Sequence, residues 1–128
     1  MELTLRNVIF CDSVVPLPDN KIVCYGIFNE VTADEYPLNY PHFCIMCSWT
    51  NGTGFHIQQV KLLNSTKSLI VTQSPEQYFT LNEETETAYI TTDVNQIIFT
   101  EPGAYNFQIF LDHKLMDEIP LYFFQRED

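Results

Sequence analysis

The last quarter of the chain, residues 101–124, constrains the fold more strongly than any other segment. It begins with the turn dipeptide Pro102-Gly103, and every second residue from 105 to 111 is then large and apolar. After a polar turn at residues 112–114 the alternation resumes, and alternation on both sides of a tight turn predicts a β-hairpin with one buried face. The residues predicted on that face are Tyr105, Phe107, Ile109, Leu111, Leu115, Ile119, Leu121 and Phe123.

The same hairpin contains a tyrosine that follows a turn at the start of a strand. Tyr105 occupies the position of a tyrosine corner, in which the hydroxyl bonds back to the backbone a few residues upstream. We expect this residue to stabilise the fold rather than to form part of a functional site.

The rest of the chain predicts further strands and shows no helical periodicity. Strands are predicted over residues 3–15, 21–32, 43–50, 55–63, 67–73 and 87–92, with 94–100 as a continuation or a separate strand. Residues 34–42 are predicted to connect two sheets, and no element is assigned to 75–86. The alternation slips at Arg6-Asn7, which indicates a bulge, and the mid-strand Gly26 indicates a bulge or a close backbone approach.

Short strands at this spacing predict an all-β fold. With 128 residues, the chain is expected to form a single domain, 1–128. We expect a two-sheet antiparallel sandwich, immunoglobulin-like or C2-like, of about seven to nine strands. Residues Phe43, Ile45, Cys47 and Trp49 are predicted on one side of the third strand, and Cys44, Met46 and Ser48 on the other.

The charge of the chain limits its partners. It has 17 acidic and 6 basic residues, for a net charge of −11. Such a chain repels phosphate backbones and anionic lipid, so no nucleic-acid or membrane partner is expected, whereas a basic protein or a cation would suit it. The start of the chain lacks the basic and apolar regions of a signal peptide, and no apolar run has the length of a membrane span, so we predict a cytoplasmic protein.

Four cysteines, at positions 11, 24, 44 and 47, raise the question of metal or thiol chemistry. The pair Cys44-x2-Cys47 has the spacing of many zinc and redox sites. It lies within an apolar strand, however, where residues three apart point to opposite faces. We therefore predict reduced, buried cysteines and no metal or cofactor. A site that combines His42 and His56 with Cys11 and Cys24 remains an alternative.

The sequence offers few candidate catalytic residues. The three histidines, His42, His56 and His113, are predicted at strand ends or turns, outside any catalytic motif. A Cys47–His42 dyad would require a spatial proximity that the sequence does not show. The acidic pairs lack the spacing of a calcium loop, and Asp12, within an apolar stretch, is expected to face water or to bind backbone N–H groups. We predict no catalytic residues and no enzymatic activity.

Several pieces of the chain resemble a family of small bacterial proteins that is known only as a domain of unknown function. They are Phe10-Cys11-Asp12, Gly26-Ile27-Phe28, Pro37 and Pro41, Pro102-Gly103-Ala104-Tyr105-Asn106-Phe107 and Ile119-Pro120-Leu121-Tyr122. The chain departs from the family at Asp112-His113, where Asp-Gly is expected, and in its greater acidity. The resemblance implies a β-sandwich and transfers no functional residues.

The predicted function is a non-catalytic, intracellular protein-interaction or accessory module. The last strand carries large residues on both faces, so Tyr122 and Phe124 are predicted to face outward and to contact a protein partner. Homodimerisation through these two residues is the specific hypothesis. The alternative is a small-ligand or metal-ion sensing domain that uses the acidic loops or the cysteines.

Overall fold

The computed structural model describes residues 3–127, which form eleven β-strands and no helix. The strands are β1 (Thr4–Cys11), β2 (Ser13–Leu17), β3 (Lys21–Tyr25), β4 (Glu30–Ala33), β5 (Leu38–Thr50), β6 (Gly54–Leu63), β7 (Ile70–Gln73), β8 (Gln77–Leu81), β9 (Ala88–Phe99), β10 (Gly103–Leu111) and β11 (Lys114–Gln125). The all-β prediction is confirmed. No helix in this part of the chain could therefore cross a bilayer.

The predicted number of strands is wrong. The first two predicted strands are each interrupted, at Asp12 and after Tyr25, so that β1 to β4 replace them. Residues 77–81, which had no predicted element, form β8, and the two segments predicted around Thr92 form the single strand β9. The break at Gly26 has a local cause: its φ is +64°, and a β-carbon there would collide with the Asp12 carboxylate.

The strands form two main sheets and a separate hairpin. One sheet has the order β1-β5-β9, the other has the order β4-β11-β10-β6-β7 with β8 also paired to β6, and β2 pairs with β3. All of these pairs are antiparallel except β4 with β11, so the larger sheet is mixed. The prediction of purely antiparallel sheets is wrong at this pair, because the chain enters β5 in the other sheet before it returns to β11.

The core lies between the two main sheets, which pack face to face. Phe107 of the larger sheet contacts Phe10 and Phe43 of the smaller sheet, with ring centroids 5.1 and 6.1 Å away. Phe99 and Phe123 stack across the same interface at 4.1 Å. The predicted common side of Phe43, Ile45, Cys47 and Trp49 in the third strand is confirmed, since all four belong to the buried core.

Strand β5 begins five residues earlier than predicted. Leu38 already pairs with Phe99 of β9, although residues 34–42 were predicted to connect the two sheets. β1 pairs with β5 only from Cys44 onward, so one side of β5 is open at Pro41. A proline is tolerated in such a position because no ladder hydrogen bond is lost on the open side.

The β10–β11 hairpin has the predicted turn and one unpredicted bulge. Asp112 and His113 both have positive φ, at 50° and 68°, as a two-residue hairpin turn of the primed type requires. The register shifts because Ile109 pairs with Asp117 while Phe110 pairs with Leu115. This bulge turns Leu115 outward, 46% exposed, so its predicted burial is wrong, and Met116 packs against the core instead.

Two other local predictions are confirmed. The register between β1 and β5 shifts between Leu5 and Asn7, where the sequence alternation slips. The hydroxyl of Tyr105 donates to the Glu101 carbonyl at 2.7 Å and accepts from the Glu101 N–H at 3.3 Å, which is a tyrosine corner.

Candidate functional site

A thiol, an imidazole and a carboxylate meet on the outer face of the three-stranded sheet. His42 and Cys44 are two residues apart in β5, so both side chains leave the face opposite to the core residue Phe43. The register of β5 with β9 places Asp93 directly opposite Cys44. The strand period and this register together assemble the cluster.

The three side chains are within contact distance of one another. Asp93 Oδ1 lies 3.1 Å from His42 Nε2, and the Cys44 thiol donates to the same oxygen at 3.4 Å. Cys44 Sγ is 3.7 Å from His42 Nε2. The thiol is buried, at 3% exposure, whereas the side chains of His42 and Asp93 are 41% and 63% exposed. In this cluster the sulfur atom is thus buried, whereas the imidazole and the carboxylate are accessible to solvent.

The protonation states follow from these contacts. Burial raises the pKa of Cys44 to about 11, and the hydrogen bond to Asp93 acts in the same direction. The hydrogen bond from His42 lowers the pKa of Asp93. At neutral pH the cluster therefore holds a carboxylate and a protonated thiol. A thiol in this state is a poor nucleophile, because the reactive species is the thiolate.

The geometry differs from that of a nucleophile–histidine–acid triad. In a triad the acid orients one ring nitrogen while the other nitrogen takes the proton of the nucleophile. Here Asp93 and Cys44 both approach Nε2 of His42. No proton relay runs through the ring, and the three donor atoms converge on a common point instead. Such a set, with all donor atoms within 4.8 Å of one another, could hold a metal ion.

The other cysteines divide between the two faces of this sheet. Cys11 lies opposite Cys44 in the β1–β5 pair, and Cys24 is a hydrogen-bonding and electrostatic neighbour of Cys11. Burial raises the pKa of Cys11 to about 12. Cys47 lies alone on the core side, so the predicted separation of Cys44 and Cys47 is confirmed. All four cysteines are free thiols.

The sequence alternatives can now be compared with this arrangement. The structure places Cys11, Cys24 and His42 near Cys44, but it places His56 elsewhere, beside Asp112. The histidine–thiol contact involves Cys44, whereas Cys47 lies in the core, so the structure does not bring Cys47 and His42 together. The sequence feature that could have indicated this contact is the spacing of His42 and Cys44, which places both side chains on one face of a strand. The contribution of Asp93 depends on a strand register and had no sequence signal.

Asp12 and His113 lie outside the cluster. Asp12 is exposed, which is one of its two predicted settings, and its backbone N–H donates to the Tyr25 carbonyl at 2.8 Å. His113 is an exposed turn residue, as predicted, with Nδ1 3.6 Å from a carboxylate oxygen of Glu76.

The predicted partner-binding residues lie on the outer face of the larger sheet. Tyr122 and Phe124 alternate with the core residues Leu121 and Phe123, and each is 47% exposed. Their rings stack at 6.3 Å with an interplanar angle of 15°. The hydroxyl of Tyr36 donates to the Phe124 carbonyl at 2.8 Å and holds the end of β11 in place.

A second aromatic pair lies on the same outer face. Phe55 of β6 and Tyr78 of β8 are each 61% exposed, and their rings stack at 5.8 Å. The face is therefore rich in exposed aromatic rings at two separate positions. Large, rigid aromatic side chains with a polar tip are typical of protein contact surfaces.

A half-open cleft lies between the edges of the two sheets. It has a volume of about 210 Å³ and is lined by residues that include Val60, Thr92, Val94 and Phe107. Most small-molecule sites have volumes of about 300–1,000 Å³. This cleft is smaller than that range, whereas a second, more open depression of about 540 Å³, lined by residues that include Arg6, Asn51, Glu84 and Glu86, falls within it. Cavity size therefore does not decide against the small-ligand alternative.

The fold and its surface features define an all-β sandwich protein with one histidine–cysteine–aspartate cluster and one aromatic outer face. The chain belongs to the family of unknown function DUF6941, whose pattern matches residues 6–124. The resemblance to a domain of unknown function is thereby confirmed. Among curated proteins, none matches the chain in sequence.

Solved structures share the fold at low sequence identity. A domain of the alkylpurine DNA glycosylase AlkC of Pseudomonas fluorescens, solved with DNA containing an abasic site analogue, is similar with a TM-score of 0.53 and 8% identity over 91% of this chain. A β-glucosidase of Listeria innocua, solved with isofagomine, is similar with a TM-score of 0.52 and 12% identity over 94% of this chain. This chain spans only 30% and 16% of those two proteins. The likeness concerns the fold alone.

Proposed function

We propose that this protein is a non-catalytic, intracellular protein-interaction module that associates with a second copy of itself through Tyr122 and Phe124. The observation that carries the proposal is the stacked, half-exposed pair of rings on the outer face of the larger sheet. Burying such rings removes apolar area from water and favours association. The shared nitrogen in the His42 cluster supports the non-catalytic part of the proposal.

The face is a better contact surface than the neighbouring sheet edge. β4 pairs only with residues 122–125 of β11, so the preceding part of β11 lies at an edge. That part contains the exposed Pro120, and edge prolines oppose the addition of another strand because they have no N–H. We therefore propose contact through side chains rather than through a shared sheet.

Of the two predicted sandwich types, we propose the immunoglobulin-like one. The order β1-β5-β9 opposite β11-β10-β6 corresponds to strands A-B-E opposite G-F-C. The tyrosine corner at Tyr105, at the start of the strand that corresponds to F, supports the same assignment. In such folds partners are bound by loops or by sheet faces, and the second mode fits the position of Tyr122.

The proposal is tested by light scattering and size-exclusion chromatography of the wild type and of Tyr122→Ser/Phe124→Ser. The wild type is expected to form dimers at high protein concentration. The double variant is expected to weaken association by about tenfold or more, because central aromatic residues dominate most interfaces. Both residues are half-exposed, so the variant should fold normally.

The matched control is Phe55→Ser/Tyr78→Ser, which removes an equally stacked and even more exposed pair from the same face. This variant is expected to dimerise as the wild type does. A wild type that stays monomeric at all concentrations contradicts the proposal. So does a control variant that dissociates while Tyr122→Ser/Phe124→Ser remains dimeric.

A further inference from the structure

We propose that His42, Cys44 and Asp93 form a binding site for a zinc-like divalent cation, with the fourth coordination position open to solvent. This inference is independent of the dimer proposal. The cluster lies on the outer face of the three-stranded sheet, whereas Tyr122 and Phe124 lie on the outer face of the other sheet. Either proposal can fail without the other.

The donor separations match those of a tetrahedral zinc site. With Zn–S of about 2.3 Å and Zn–N and Zn–O of about 2.0–2.2 Å, neighbouring donors of a tetrahedron lie about 3.3–3.6 Å apart. The observed separations are 3.1 Å (nitrogen to oxygen), 3.4 Å (sulfur to oxygen) and 3.7 Å (sulfur to nitrogen). One ion could contact all three donors after shifts of a few tenths of an ångström.

The donor types select the kind of ion. A thiolate, an imidazole and a carboxylate are typical zinc ligands, whereas calcium and magnesium prefer oxygen ligands only. The thiolate and the carboxylate together supply two negative charges for a divalent ion. On binding, the ion replaces the thiol proton, which is released to solvent. Neutral His42 moves its proton from Nε2, where it is donated to Asp93, to Nδ1 by exchange with solvent, so that Nε2 is free to bind the ion. Zinc affinity is therefore expected to fall as the pH is lowered.

The site is both anchored and accessible. The buried Cys44 is fixed in β5 between two paired strands, while the exposed side chains of His42 and Asp93 leave an entry path. The fourth position lies on this open side, so that three protein ligands and water would complete the shell. Three protein ligands and one open position is the composition of many accessible zinc sites.

The test uses Co²⁺ and Zn²⁺ with the reduced protein. Co²⁺ is expected to give a thiolate-to-metal charge-transfer absorption band, and Zn²⁺ to bind with one equivalent by calorimetry. Cys44→Ser should abolish the band. His42→Gln and Asp93→Asn change exposed side chains, so they should fold normally and each weaken zinc binding by at least about tenfold.

The matched control is His113→Gln, which removes an imidazole that also neighbours a carboxylate, Glu76, at 3.6 Å. It should bind zinc as the wild type does. Absence of the charge-transfer band in the wild type overturns the proposal, because the ion would then lie on surface carboxylates. A band that persists in Cys44→Ser but disappears in Cys11→Ser or Cys24→Ser overturns it as well, since other thiols would hold the metal.

Discussion

His56 is held in an environment that favours its charged form. Its two ring nitrogens face oxygen acceptors, Asp112 Oδ2 at 2.8 Å and the Thr53 carbonyl at 2.9 Å. Burial alone lowers the pKa of His56, but the hydrogen bonds to Asp112 and Thr53 outweigh it and raise the pKa above its ordinary value. The second Asp112 oxygen accepts the N–H of Ile57 at 2.9 Å, which fixes the carboxylate.

A raised pKa in the folded state makes the stability depend on pH in a defined direction. The stabilisation is complete below the unfolded-state pKa of about 6.5 and is lost as the pH rises through the higher folded-state pKa. The free energy of unfolding of the wild type should therefore decrease as the pH rises from the unfolded-state value through the raised folded-state pKa of His56. In His56→Gln this decrease should be smaller. Urea titrations at several pH values measure the free energy of unfolding of both proteins. If it changes with pH equally in the wild type and in His56→Gln, the raised pKa of His56 is refuted.

Tyr105 is expected to contribute through its hydroxyl. Tyr105→Phe removes both hydrogen bonds to Glu101 while it keeps the buried ring, which packs on Phe99 and Phe123. We expect a loss of about 1 kcal/mol in the free energy of unfolding, a typical net value for a hydrogen bond. Tyr78→Phe, at an exposed hydroxyl, is the control and should change stability by less than about 0.5 kcal/mol. Equal losses of stability for Tyr105→Phe and Tyr78→Phe in urea denaturation would argue against the tyrosine corner.

At the scale of strands, a buried polar network joins the two sheets. Gln58 of β6 is fully buried, and its side-chain carbonyl accepts the indole N–H of Trp49 of β5 at 2.7 Å. Its amide nitrogen donates to Gln77 of β8 at 3.2 Å and to Thr92 of β9 at 3.4 Å. The network satisfies the polar atoms that these four strands bring into the core, which makes each member costly to remove.

Removal of Gln58 should therefore be strongly destabilising. Gln58→Ala leaves the indole N–H of Trp49 without its acceptor and creates a cavity, so we expect a loss of about 3 kcal/mol or more. The exposed Gln73→Ala of β7 is the control, with an expected change within about 0.5 kcal/mol. Chemical denaturation followed by Trp49 fluorescence measures both. A cost for Gln58→Ala that is as small as the control would contradict the role of the network.

The accuracy of the sequence predictions also depends on scale. Alternation placed the β10–β11 hairpin and the two faces of β5 correctly, because a side-chain period of two is a local property. Leu115 was misplaced since one inserted residue, Met116, reverses the alternation. The pairing of Cys44 with Asp93 was missed because the residues are 49 positions apart and meet only through strand register. The local alternation of side chains can be predicted from the sequence, whereas the register between strands that are distant in the sequence cannot.

At the scale of the whole molecule, the charge of the protein opposes the association of two copies, whereas apolar contact favours it. A net charge of −11 makes two copies repel at low ionic strength. The proposed contact consists of aromatic rings, whose association does not require charge pairing. Salt should therefore screen the repulsion and leave the attraction in place. Dimerisation is expected to tighten with salt, opposite to an interface that depends on ion pairs.

Sedimentation equilibrium of the wild-type protein at about 20 mM and about 300 mM NaCl, where the screening length differs severalfold, tests this most directly. We predict a dimer whose dissociation constant decreases at the higher salt concentration. A protein that is monomeric under both conditions, or a dimer that weakens with salt, would contradict association through the aromatic face.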